Sequence, residues 1–129
     1  DALPIYPKDS KLRKMKINLM LRGLKRDPAK VIGDFYKEAG LKKSIEKTLN
    51  VNNLIHGLEL LRDCDMSHAL CNTEAEIITV HGKGDVIVPE ELNRMQFINT
   101  VKERYSLDGN HGIIQSKSHE IKKILSEIV

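Results

Sequence analysis

The hydrophobic and polar positions along the chain follow one pattern in the first half and another in the second. From Lys11 to Leu24, residues Leu12, Met15, Leu19 and Met20 recur at helical spacing, and Gly23 marks the end of a predicted helix. In the stretch Arg26 to Gly40, Asp27 suits an N-cap and Pro28 the first helical position. Val31, Ile32 and Phe35 form its apolar stripe, and Gly40 ends it. A short basic segment, Leu41 to Leu49, follows. A third helix then places Leu54, Leu58 and Leu61 on one face, with Asn50 or Asn52 as its cap. No strand pattern occurs between Ser10 and Asp63.

Beyond about Asn72 the period changes. Ile77 to Val80 is a continuous apolar run, as expected of a parallel strand covered on both faces. Pro89-Glu90-Glu91 opens a helix through Leu92, Met95 and Phe97-Ile98, with acids in the first turn where the helix dipole favours them. Val101 to Leu107 reads as a second strand and Asp108 to Gly112 as a turn. Ile114 to Ile128 reads as one closing helix with Ile121, Ile124, Leu125 and Ile128 apolar. Strand, helix, strand, helix predicts an α/β protein with a parallel sheet and right-handed crossovers.

Composition narrows this only slightly. A length of 129 residues suits one domain with a modest core. No apolar stretch approaches the roughly 18 residues of a membrane span, so no membrane partner is expected. The start, Asp1-Ala2-Leu3-Pro4, has neither the basic flank nor the apolar run of a secretory signal. Without an initiator Met, the chain is expected to begin after processing or inside a longer one. Cys64 and Cys71 make no disulfide framework and suit a reducing cytoplasm.

Charge changes the picture more. Residues 1–47 hold 13 Lys and Arg against 6 Asp and Glu, whereas residues 48–129 hold 8 against 12. Such a basic half is either a solvated helix face or a surface that attracts an acidic partner. Nucleic acid is disfavoured as that partner, because only Tyr6, Phe35 and Tyr36 could stack on bases there.

The candidate chemistry lies where the two predicted strands end. One loop, His81-Gly82-Lys83-Gly84-Asp85, delivers Asp85. The other, Asp108-Gly109-Asn110-His111-Gly112, delivers His111. The C-terminal ends of parallel strands are where open α/β sheets bind and react. An Asp held against a His orients the imidazole and stabilises the imidazolium, as activation of a nucleophile requires. Each residue also has a plainer reading: Asp85 as a cap for the helix after Pro89, His111 as a turn filler. His81 reads as a structural or supporting strand-end residue, His56 as a helix residue and His119 as a surface one. Cys64, His68 and Cys71 offer no complete set of zinc ligands, so no metal and no cofactor is expected.

These motifs resemble the α/β-hydrolase fold, whose catalytic triad runs nucleophile, acid, histidine along the chain. "HGKGDVIVP" is similar to the acid loop of that fold and "DGNHG" to its histidine loop. "LNVNNLIHGLELLRDCDMSHAL" and "LRGLKRDPAKVIGDFYKEAG" resemble, respectively, the linker and the helical lid of one group. These are the esterases that hydrolyse pimeloyl-acyl-carrier-protein methyl ester in biotin synthesis. The resemblance covers nearly the whole chain. It implies a helical lid at residues 1–49 and the C-terminal part of a hydrolase core at 50–129. Asp85 would be the triad acid and His111 the base, and the basic lid would meet an acidic acyl carrier protein through Lys30, Lys42, Lys43 and Lys47. Asp34 stands where that family tends to carry a basic residue.

One element of the family is missing. No serine has glycine two residues before and after it: Ser67 lies in Asp65-Met66-Ser67-His68-Ala69 and Ser106 in Arg104-Tyr105-Ser106-Leu107-Asp108. The nucleophile is therefore expected on an N-terminal half outside this sequence, or on another chain that completes the sheet. Alone, the chain is expected to be inactive, and its strands to leave an inner sheet edge in need of a partner. A generic small-ester carboxylesterase is one alternative. A non-catalytic basic helical module that holds an acidic protein is the other.

Overall fold

The computed structural model describes residues 7–42, 48–95 and 100–128. They form a mixed α/β chain that divides into two compact units, one of residues 1–35 and 43–66, the other of 36–42 and 67–129. These units do not coincide with a division at 49/50. The helix after Asn50 groups with the basic helices, and residues 36–42 group with the sheet.

The first unit is built from α1 (Pro7–Arg26), most of α2 (Pro28–Ala39) and α3 (Val51–Asp63). Asp27 caps α2 as its sequence suggests, accepting a hydrogen bond from the Lys30 N–H at 3.1 Å. Asn50, rather than Asn52, caps α3, accepting from the Asn53 N–H at 3.1 Å. Such a cap typically contributes about 1 kcal/mol. The apolar stripe expected on α1 is not the buried one. Leu12, Met15 and Leu19 are 46, 53 and 55 % exposed, whereas Ile17, Leu21 and Leu24 are 8, 8 and 1 % exposed. Residues 17, 21 and 24 also recur at helical spacing, so α1 carries two apolar stripes on opposite sides. A similar correction applies to α3. Leu54, Ile55, Leu58 and Arg62 are half-buried, while Leu61 is exposed. Arg62 ties α3 to α1 by donating to Asn18 Oδ1 at 2.9 Å.

In the second unit, α4 (Ser67–Cys71) precedes β1 (Ile77–Gly82), and α5 (Glu90–Met95) lies between β1 and β2 (Val101–Leu107). The two strands pair in parallel, as the alternating grammar of the second half predicts, with a register slip between Ile77 and Ile78. Among the described residues the sheet has only these two strands. Ile77 to Val80 are accordingly half-buried rather than covered on both faces, and the expected partner for the far edge of β1 is not found among the described residues. Phe97 and Ile98, expected in the helix after Pro89, lie outside those residues.

The closing helix is broken in two, α6 (Ile113–Ser116) and α7 (Ser118–Ile128), with Lys117 leaving helical geometry at φ −124° and ψ 30°. Its first piece serves the preceding turn. Ile113 and Ile124 are buried, and with Ala39 they make the small apolar centre of this unit.

Candidate functional site

Because β1 and β2 run parallel, the segments after Gly82 and Leu107 leave the same end of the sheet. Backbone bonds continue the pairing beyond the strands. The Lys83 N–H donates to the Leu107 carbonyl at 2.9 Å and the Gly84 N–H to the Gly109 carbonyl at 2.7 Å. A Cβ on Gly82 would stand 2.4 Å from the Asn110 carbonyl oxygen, so the loops approach this closely only because residue 82 has no side chain.

Asp85 and His111 meet there. His111 Nδ1 lies 2.9 Å from Asp85 Oδ2. The other carboxylate oxygen, Oδ1, accepts from the Ile87 N–H at 2.9 Å and the Val88 N–H at 2.8 Å. With two amides on one oxygen and the imidazole on the other, the carboxylate is fixed in position and in rotation. The Asp85 side chain is 5 % exposed and that of His111 36 %, so a buried acid supports a histidine that reaches the surface. An ionised carboxylate can only accept, which assigns the Nδ1 proton to His111 and, in the neutral ring, the lone pair to Nε2.

His81, on the penultimate residue of β1, adds a third group. Its Nε2 stands 2.8 Å from the Val88 carbonyl oxygen and 3.7 Å from Asp85 Oδ2. The histidine loop is braced from its far side as well. The Gly112 N–H donates to the Ala39 carbonyl at 3.0 Å, and the Lys42 N–H to Gln115 Oε1 at 2.9 Å. Gly40, at φ 65°, lies against the Asn110 side chain, where a Cβ would stand 1.6 Å from its nitrogen. These braces come from the end of α2, more than 60 residues upstream of the turn they hold. No local pattern announces them.

The four lysines singled out from the sequence fare unequally. Lys30 bonds to the Asp34 carboxylate at 2.8 Å, a bond that holds its ammonium above the usual lysine value and partly neutralises it. Lys42 is exposed and uses its backbone N–H on Gln115. Lys43 and Lys47 lie outside the described residues. The denser cationic surface is on α1. Residues 11–26 contain seven Lys and Arg and no acid, and every one of the seven is exposed. A count over a shorter window than half the chain would have found it.

Two serine hydroxyls are engaged elsewhere: that of Ser116, beside the histidine turn, donates to the Gly112 carbonyl at 3.4 Å. The Ser106 hydroxyl, on β2, bonds to the Glu90 carboxylate. Cys64 and Cys71 are free thiols on the surface. Among the described residues no cluster of three or more His, Cys, Asp or Glu could hold a metal ion, and no helix is long and apolar enough to cross a membrane. Comparison of the chain with protein-family models, curated proteins and solved structures returned no match.

Proposed function

We propose that this chain supplies the acid and the histidine of a Ser-His-Asp carboxylic ester hydrolase of the α/β-hydrolase fold. The observation that carries the reading is the 2.9 Å contact between His111 Nδ1 and Asp85 Oδ2 at the C-terminal ends of two parallel strands. Asp85, held on its far oxygen by two backbone amides, fixes the imidazole so that Nε2 is the basic atom. In the reaction a serine Oγ, contributed by a segment outside this sequence, attacks the ester carbonyl and passes its proton to His111 Nε2. His111 returns that proton to the departing alkoxide, and a water repeats the cycle to release the acid.

The motif resemblance suggests the substrate: pimeloyl methyl ester carried on acyl carrier protein, with methanol leaving, in a cytoplasmic setting. The exposed cations of α1 support an acidic carrier as the bearer of that ester, because complementary charge speeds encounter and is screened by salt. A second reading has its own observation. Seven cations without an acid on residues 11–26 also suit a non-catalytic module that holds an acidic protein.

The deciding experiment joins the chain to a nucleophile-bearing N-terminal half and measures turnover of a carrier-bound methyl ester beside a small p-nitrophenyl ester. Turnover of both that depends on His111 supports the esterase. Acidic-protein binding with no turnover of either ester favours the module.

A further inference from the structure

The Asp85 loop is closed at its base by a side chain that ester hydrolysis itself does not require. His81 Nε2 lies 2.8 Å from the Val88 carbonyl oxygen, across the seven residues in which the chain leaves β1, turns and presents Asp85. A carbonyl only accepts, so Nε2 carries a proton and donates it whether the ring is neutral or charged. Val88 is thereby held at both ends of its backbone. Its N–H is bound to Asp85 Oδ1 at 2.8 Å and its carbonyl to His81. Asp85 is tied in turn to the strand end, its N–H donating to the Gly82 carbonyl at 3.1 Å. The result is a closed ring of contacts that leaves Asp85 Oδ2 directed at His111. The His81 side chain is only 12 % exposed, and its polar edge lies 3.7 Å from that same oxygen.

We propose that His81 is a positioning residue for the Asp85–His111 pair: by donating to the Val88 carbonyl it closes the loop that aims the carboxylate. The proposal rests on the esterase reading for its purpose, but not for its readout.

Glutamine is the informative replacement. Its side-chain amide places a donor near the position of imidazole Nε2, whereas asparagine is too short to reach Val88 and alanine has no donor. The test follows, in the 129-residue chain with isotope-labelled histidine, the imidazole Nδ1–H signal of His111 and the amide exchange of Ile87 and Val88. In His81→Ala the Nδ1–H signal should be lost, as in Asp85→Asn. Exchange at residues 87 and 88 should quicken about tenfold or more while the β1 amides stay protected. His81→Gln should restore both, and His81→Asn should not; the Asn and Gln pair decides the matter if the alanine variant does not fold. Signal and protection retained in His81→Ala, or lost equally in Gln and Asn, would overturn the proposal. Failure of the completed enzyme to hydrolyse any ester would remove the esterase reading and leave this spectral result standing.

Discussion

The two compact units reach their surfaces by different means. In the first, long helices pack through apolar stripes and the surface is defined by charge: seven exposed cations line residues 11–26. In the second, short elements are cross-linked by backbone hydrogen bonds between loops, and one carboxylate meets one imidazole at 2.9 Å. A charged surface tolerates the loss of any one residue, because its field is a sum. A hydrogen-bonded pair does not, because each partner has one position. The units should therefore respond to substitution in opposite ways, gradually in the first and abruptly in the second.

The largest effects are expected at the pair. In an enzyme completed by its nucleophile, His111→Ala should lower kcat by several orders of magnitude, and Asp85→Asn by about 10⁴-fold if the loop works as a triad acid. Single-turnover and steady-state rates on a small ester measure both, and near-wild-type rates for either would break the contrast. Next comes the backbone that brings the loops together. Gly40→Ala sets a Cβ on the Asn110 side chain and forces a side-chain-bearing residue to adopt φ 65°, at a cost of roughly 1–2 kcal/mol from the backbone alone. Chemical denaturation should show that loss, accompanied by weaker protection of the Gly112 amide.

Charge should yield by degrees. Reversing Arg13, Lys14 and Lys16 to Glu one after another should weaken binding of an acidic carrier protein in steps, reaching about tenfold or more together, with the loss shrinking as salt rises. Equal loss for a small uncharged ester would show that α1 is not the docking surface. Thr79 offers a smaller effect of opposite sign. Its hydroxyl is a buried side-chain oxygen with no hydrogen-bond partner among the described residues, so Thr79→Val should stabilise the chain by about 0.5–1 kcal/mol in thermal or chemical melts.

The smallest effect concerns acid. The hydrogen bond from Arg62 holds the exposed Asp63 carboxyl below its usual range. A depressed carboxyl contributes stability above its unfolded value of about 3.9, and that stability is lost as pH falls through the lower folded value. Asp63→Asn should therefore lower stability slightly at neutrality and remove the shallow decline below about pH 4, so that variant and parent converge in acid.

How far the sequence revealed this arrangement depended on the range of the interactions. The approach of Asp85 and His111 was legible because each sits in a glycine-rich turn directly after a strand-like run. Parallel pairing then leaves the two turns little freedom to separate. The caps at Asp27 and Asn50 were legible for a similar reason, since a cap and the N–H it binds are three residues apart. The inward face of α1 was not. Leu12-Met15-Leu19 and Ile17-Leu21-Leu24 have equally good helical spacing, and only packing distinguishes them. The break at Lys117 has no glycine or proline to announce it. The grouping of residues 36–42 with the sheet depends on bonds such as Lys42 to Gln115, which join segments 73 residues apart.

That separation has a kinetic meaning. Asp85 and His111 are 26 residues apart, within a single strand–helix–strand unit, whereas Lys42 and Gln115 close a loop of 73. Loop-closure entropy rises as the logarithm of length, so the longer closure costs about 0.9 kcal/mol more. The acid–imidazole contact can thus form while the chain is still condensing, and the brace from the end of α2 is expected to arrive after the folding barrier. Mutations at Gly40 should accordingly accelerate unfolding and leave the refolding rate almost unchanged, the signature of an interaction absent from the transition state.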